Sequence, residues 1–160
     1  MDDHAGRPGG SDDAVAVTLR ASRALLGVVA RSLAPALEKV SFPQFRVLVL
    51  LSDGIPKRSG LLAEYLDVHP STFTRMVDRL ASAGWVERLD VPGNRREVHV
   101  SLTASGAGLV DEVMRRRRDA IVGIVETLSP QQRRAVAQGL EILAVAAGEP
   151  APEDLATLGG

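Results

Sequence analysis

The chain of 160 residues contains no cysteine, which removes disulfides, thiolate-held zinc and thiol redox sensing from its available chemistry. A cytoplasmic protein is the expectation. No apolar run approaches the ~20 residues that a bilayer-spanning helix requires. Residues 1–13 are acidic and Gly-rich, where a signal peptide would open basic and continue apolar. Neither a membrane nor export is therefore expected. Histidine is scarce as well: His4, His69 and His99 fall in a tail, a turn and a strand, with no orienting acid at motif spacing. With no nucleophile elbow and no Gly-rich phosphate loop, the chain does not read as an enzyme. Metal ligands at helical spacing are limited to Asp111-Glu112 and Glu64 with Asp67, so no metal site and no cofactor is expected, and a metal-responsive regulator is only an alternative.

Lysine is nearly missing, at 2 against 17 arginines. Arginine offers bidentate forks suited to phosphate and guanine, although a GC-rich genome produces the same bias. The formal net charge is −1, but the acids are concentrated at the ends. Asp2, Asp3, Asp12 and Asp13 against Arg7, and Glu149, Glu153 and Asp154 against no base, leave −3 in each tail. Removing both contributions puts residues 14–148 at about +5, and a dimer doubles it. That charge permits a nucleic-acid partner without proving one.

Residues 1–13 and 149–160 read as disordered tails around one folded unit, 14–148. From Val15 an apolar stripe through Leu19, Leu26, Val29, Leu33, Leu37 and Val40, interrupted at Ser22, predicts a long helix that Pro35 should kink or split. Ser41-Phe42-Pro43-Gln44 is a capping box opening a second helix that ends near Asp53-Gly54, with Phe45, Leu48 and Leu51 inward. Two short helices follow, at 59–66 and 70–83. The period then changes to two: Val98, Val100 and Leu102 alternate with polar residues, 85–90 supplies a partner strand, and Val91-Pro92-Gly93-Asn94 is turn chemistry. Thr103 caps a long helix to about Leu128, and Ser129-Pro130-Gln131-Gln132 opens a last one carrying Val136, Leu140, Leu143 and Ala147. The fold expected is mainly α with a small β-hairpin wing.

Two short helices with a tight turn, followed by a hairpin, make the winged helix-turn-helix order, whose second helix enters the DNA major groove. In that helix Phe73, Val77 and Leu80 form an inner face. Ser71, Thr72, Thr74, Arg75 and Arg79 fall outside it, and hydroxyls with arginines suit base edges and phosphates. The same residues also fit an ordinary surface helix. Arg95 and Arg96 beside the Pro-Gly turn are candidates for a narrow A·T minor groove, with solvated loop arginines as the other reading. Arg115-Arg116-Arg117-Arg118 points in four directions on a helix and cannot form one patch.

Over residues 15–148 the chain resembles the MarR family (multiple antibiotic resistance regulators). The resemblance is carried, in order, by Phe42-Pro43-Gln44-Phe45-Arg46-Val47-Leu48, Leu62-Ala63-Glu64-Tyr65-Leu66, residues 71–80, Gly84-Trp85-Val86-Glu87-Arg88, Asp90, Asn94-Arg95-Arg96 and residues 100–106. It implies an obligate homodimer with dimerisation helices at 14–40 and 104–148 around a winged helix-turn-helix at 41–103. It also implies double-stranded DNA as partner, with a two-fold protein matched to an inverted-repeat operator, and repression relieved by a small molecule. Two departures stand out. Asn94 replaces the aspartate that braces the wing arginine, so that binding is expected to be weaker or the wing more mobile. His69 stands where Ser or Asp would cap better, and reads as a surface histidine or a pH-sensitive contact. For a small anionic aromatic effector at the junction of the long helices and the winged unit, Arg20, Arg23 and Arg46 are the candidate anion partners and Phe42 and Phe45 the lining. The alternative is that these arginines form salt bridges and the phenylalanines are core. A winged-helix module that binds only protein is the remaining rival.

Overall fold

The structure, a computed structural model, describes residues 10–91 and 94–148, and the side chains of 91 and 94–96 are outside the description. Among the described residues six helices and three strands follow in the order α1 (Gly10–Leu37), α2 (Phe42–Leu50), β1 (Lys57–Arg58), α3 (Ser59–Tyr65), α4 (Pro70–Ser82), β2 (Val86–Val91), β3 (Asn94–Leu102), α5 (Ala104–Val125) and α6 (Pro130–Ala146). The helix starts are made locally. Ser41 Oγ accepts from the Gln44 N–H at 3.4 Å while Gln44 Oε1 accepts from the Ser41 N–H at 2.8 Å, and Ser129 and Gln132 repeat the exchange at 3.3 and 2.9 Å. Both boxes satisfy donors that a helix start leaves open.

Three expectations are corrected. Pro35 does not split α1, because it lies in the last turn before the helix ends at Leu37. At the other end α1 begins at Gly10, so residues 10–13, assigned to the tail, are helical. Third, the hairpin is part of a three-stranded antiparallel sheet of order β1-β3-β2, with Lys57 opposite Val100 and Arg58 opposite His99. Strand β1 is two residues long, too short to show any period, and it forms only because β3 offers its free edge. The tip at Pro92-Gly93 lies outside the described residues, as do residues 1–9 and 149–160.

One core unites the winged unit with the long helices. Phe45, Leu48 and Leu51 meet Leu62, the inner face of α4 (Phe73, Val77, Leu80), Val86 and Val100 of the sheet, and Leu109, Val110 and Val113 of α5. Burial of each large apolar side chain there is worth roughly 1.5–3 kcal/mol. Lys57 is fully buried, its stem inside this core and its ammonium 2.6 Å from Asp53 Oδ2, which offsets the cost of taking the charge out of water.

The sheet hands over to α5 at a tight junction. Thr103 Oγ1 accepts from the Gly106 N–H at 3.1 Å and donates to the Gly84 carbonyl at 2.6 Å, while Gly84 takes a left-handed φ of 77°. A Cβ at Gly106 would lie 2.0 Å from the Trp85 carbonyl oxygen, a backbone atom that cannot swing aside. Gly106→Ala should therefore cost about 1–3 kcal/mol through forced repacking. Gly108→Ala, in the same helix but facing open space, should be neutral or stabilise by up to ~1 kcal/mol. Urea unfolding of both variants measures the contrast.

Candidate nucleic-acid interface

Helix α4 presents three faces, and they differ in what their polar groups already hold. Phe73, Val77 and Leu80 point inward as expected. Toward the wing, Pro70 and Thr74 line a cleft with Arg58, Arg88 and Glu97. Toward α2, Thr72, Arg75 and Arg79 line a second cleft with Gln44. All five polar candidates on α4, Ser71, Thr72, Thr74, Arg75 and Arg79, are exposed, but their hydroxyls are not equally available. Thr74 Oγ1 donates to the Pro70 carbonyl at 2.9 Å, and Ser71 Oγ lies 2.9 Å from His69 Nδ1. The side chains of Thr72, Arg75 and Arg79 have no hydrogen-bond or ion-pair partner among the described residues.

His69 does more than a surface histidine. It occupies the N-cap of α4, where its Nδ1 accepts from the Ser71 N–H at 3.3 Å. The ring nitrogen thus plays the part an aspartate or serine oxygen would, in the tautomer that leaves Nδ1 unprotonated.

Charge pairs that the sequence did not reveal tie the wing to α4 and to β1. Arg88 of β2 binds Asp78 of α4, and Arg58 Nε lies 3.0 Å from Glu97 Oε1 on β3, an oxygen also 3.0 Å from His99 Nε2. Arg88 with Asp78 and Arg58 with Glu97 join different elements of the chain, so no local spacing signals them; only the contact of Glu97 with His99, two residues apart on β3, is local. Arg95 and Arg96 lie on β3, and the minor-groove role expected of them rests on side chains outside the described residues.

A sequence model of the MarR family matches residues 40–98. The chain is 39% identical to RV1404 of Mycobacterium tuberculosis, whose crystal structure superposes with a TM-score of 0.82 over 91% of this chain and 99% of that one. The chain belongs to the MarR family. It is also 32% identical over 104 residues to the uncharacterized HTH-type transcriptional regulator YfiV of Bacillus subtilis. That match covers 65% of each protein, just under two thirds of YfiV. Streptococcus pneumoniae FabT, solved in complex with DNA, shares the fold at a TM-score of 0.68 and 17% identity, covering 86% of this chain and 96% of FabT. The protein is accordingly a winged-helix transcription regulator of that family rather than an enzyme. No helix among its described residues is long and apolar enough to cross a membrane.

The candidate effector residues of this MarR-family chain separate. Arg46, Phe42 and Phe45 line one cavity of about 360 Å³ between α1, α2, α3 and α5, together with Val29, Tyr65 and Arg117. Arg20 and Arg23 do not reach it: both are exposed on α1, nine and six residues before Val29, the first α1 residue to line it. Arg117 is the residue sequence reading missed. It is half-buried, its Nε donates to Ser32 Oγ at 3.4 Å, and no carboxylate among the described residues pairs with it. The arginine run makes no single patch, but it resolves into two pairs rather than four directions: Arg115 and Arg116 both bind Glu112, whose carboxyl they hold below its ordinary pKa, while Arg117 and Arg118 both line a groove with Ile121 and Val122.

The imidazole cap is testable. His69→Ala should destabilise the protein by about 1 kcal/mol and His69→Ser should not, in thermal unfolding near neutral pH.

Proposed function

We propose that the protein is a homodimeric repressor that reads an inverted-repeat operator through α4 and the wing and is released by a small anionic aromatic acid. The observation that carries the dimer is an uncovered apolar surface at both ends of the chain. Helix α6 buries none of its residues, and Val136, Leu140, Ile142, Leu143 and Val145 are 41–70% exposed. Val15, Leu19 and Leu26 of α1 are 55–66% exposed, and Ile121 and Ile124 of α5 extend the same condition. So many large apolar side chains left uncovered call for a partner, and in this proposal a second copy supplies it through α1 and α6. Light scattering should find a stable dimer at micromolar concentration, and deletion of residues 130–160 should leave a monomer or an aggregate.

On DNA, Thr72 and Arg75 select bases, Arg79 supports the backbone, and Ser71 and Thr74 contribute chiefly as acceptors, because their hydroxyl hydrogens already have partners. Arg95 enters the minor groove with Arg96 beside it. Two-fold symmetry then demands half-site centres about one helical turn, ~10 base pairs, apart. Binding measured across a set of sites should show Thr72→Ala and Arg75→Ala changing which sequence is preferred. Arg95→Ala should weaken binding by ~1 kcal/mol or more and abolish A·T preference in the flanks. Equal loss on G·C-flanked sites would make Arg95 a phosphate contact.

The effector reading rests on the cavity at α1, α2, α3 and α5. Its lining is apolar except for Tyr65 and two guanidiniums, Arg46 and Arg117, with no carboxylate among them. Those cations suit one acid group on a flat apolar body. Release further requires that the ligand fit one spacing of the two α4 helices better than the other, since equal affinity for both shifts nothing. Titrating a salicylate-like acid into the DNA complex should free the DNA at millimolar ligand or below. Arg46→Ala and Arg117→Ala should each raise the concentration needed, whereas Arg20→Ala and Arg23→Ala should not. Wild-type behaviour of the Arg46 and Arg117 variants would place the signal elsewhere.

A further inference from the structure

Between the first turn of α2 and the outer flank of α4 lies a cleft of about 350 Å³ whose charged groups are all of one sign. Arg75 and Arg79 line it, and neither has an acid partner among the described residues. Gln44 lines it too, and the capping box determines which end of its amide is free: Oε1 is committed to the Ser41 N–H at 2.8 Å, so Nε2 remains as a donor pair. Thr72 adds an unpartnered hydroxyl. The Gln44 backbone N–H is already taken by Ser41 Oγ, so the available donors are side chains rather than the end of a helix.

We propose that this cleft seats one backbone phosphate of the operator, gripped by Gln44 Nε2 and the Arg79 guanidinium with Arg75 at its rim, and so sets the register of α4 along the groove. The inference rests on the DNA-binding reading and adds to it a contact from outside the helix-turn-helix. Several donors with no carboxylate suit a singly charged phosphodiester with two non-bridging oxygens. Because Thr72 and Arg75 belong to both the cleft and the exposed edge of α4, a phosphate held there fixes how far those side chains reach toward the bases. Phosphate contacts position a protein without reading sequence. Gln44 is accordingly a positioning residue.

The probe is a duplex enriched from a random-sequence pool by the full-length protein, together with copies carrying one neutral methylphosphonate at each backbone position in turn. Gln44→Glu retains the capping box, since a glutamate oxygen accepts from the Ser41 N–H equally well, but replaces the outward donor with an acceptor. Gln44→Glu and Arg79→Ala should unfold at the wild-type temperature within a few degrees. They should bind the native duplex on the order of tenfold more weakly, the scale of one charge-assisted contact, and equally so on every enriched sequence. Arg79→Ala should also lower the slope of log K against log salt by about one. At one phosphate per half-site the neutral substitution should weaken wild type, yet cost either variant less than twofold more. If the losses add at every phosphate, or Gln44→Glu binds like wild type, the seat is wrong while DNA binding stands. If no duplex is enriched, both fall.

Discussion

The backbone of Gly106 lies against the carbonyl of Trp85 with no room for a single added carbon. The rest of the molecule is organised around that contact. It sits where the last strand of the sheet becomes the first turn of α5, and the Thr103 hydroxyl holds both sides through the Gly106 N–H and the Gly84 carbonyl. Immediately beyond it, Leu109, Val110 and Val113 enter the core shared with α2, α4 and the sheet. The wing root and the long helix are therefore parts of one packed body. Close-packed interiors respond to strain by switching between arrangements rather than by yielding gradually. A change in how α5 is seated must then be felt at α4, which is the physical requirement for any ligand at the α1, α2 and α5 cavity to affect DNA.

Two kinds of force divide the molecule between them. Apolar burial builds the centre, and where it stops, along α6, the N-terminal part of α1 and the outer half of α5, large side chains remain uncovered. Charge pairs govern the periphery. Arg88 with Asp78 ties the wing to α4, and Arg58 with Glu97 ties β1 to β3; because these pairs are wholly or partly exposed they add little to stability, and their contribution is orientation. Arginines held by carboxylates are spent on shape. Among the described residues without a carboxylate partner, Arg46 and Arg117 line the cavity at α1, α2, α3 and α5, and Arg75 and Arg79 line the outer flank of α4, where an anion can complete them.

The two flanks of the recognition helix illustrate how similar residues acquire different roles. Thr72 and Thr74 are both exposed and two positions apart, yet only Thr74 donates back to a carbonyl of its own helix. An N-terminal flank with Pro70 supplies that carbonyl, whereas the carbonyl four residues before Thr72 belongs to the turn.

Much of this was legible from residue order, and the legible part shares one property: it rests on interactions spanning about four residues. The caps at Ser41, Thr103 and Ser129, the inward set Phe73, Val77 and Leu80, and the alternation of Val98, Val100 and Leu102 all follow from helix and strand periods acting locally. The winged-helix class and the MarR family followed from their sequence. What residue order left open were the contacts made across the fold. Strand β1 exists because β3 offers a free edge, and Lys57 is buried because that pairing draws it inside. Arg117 reaches Ser32 across 85 residues of chain and joins Arg46 at one cavity, while Arg20 and Arg23, equally basic and nearer in sequence, stay outside it. Local periodicity states which way a side chain faces on its own helix, but only packing brings two helices together, and a cavity belongs to the packing.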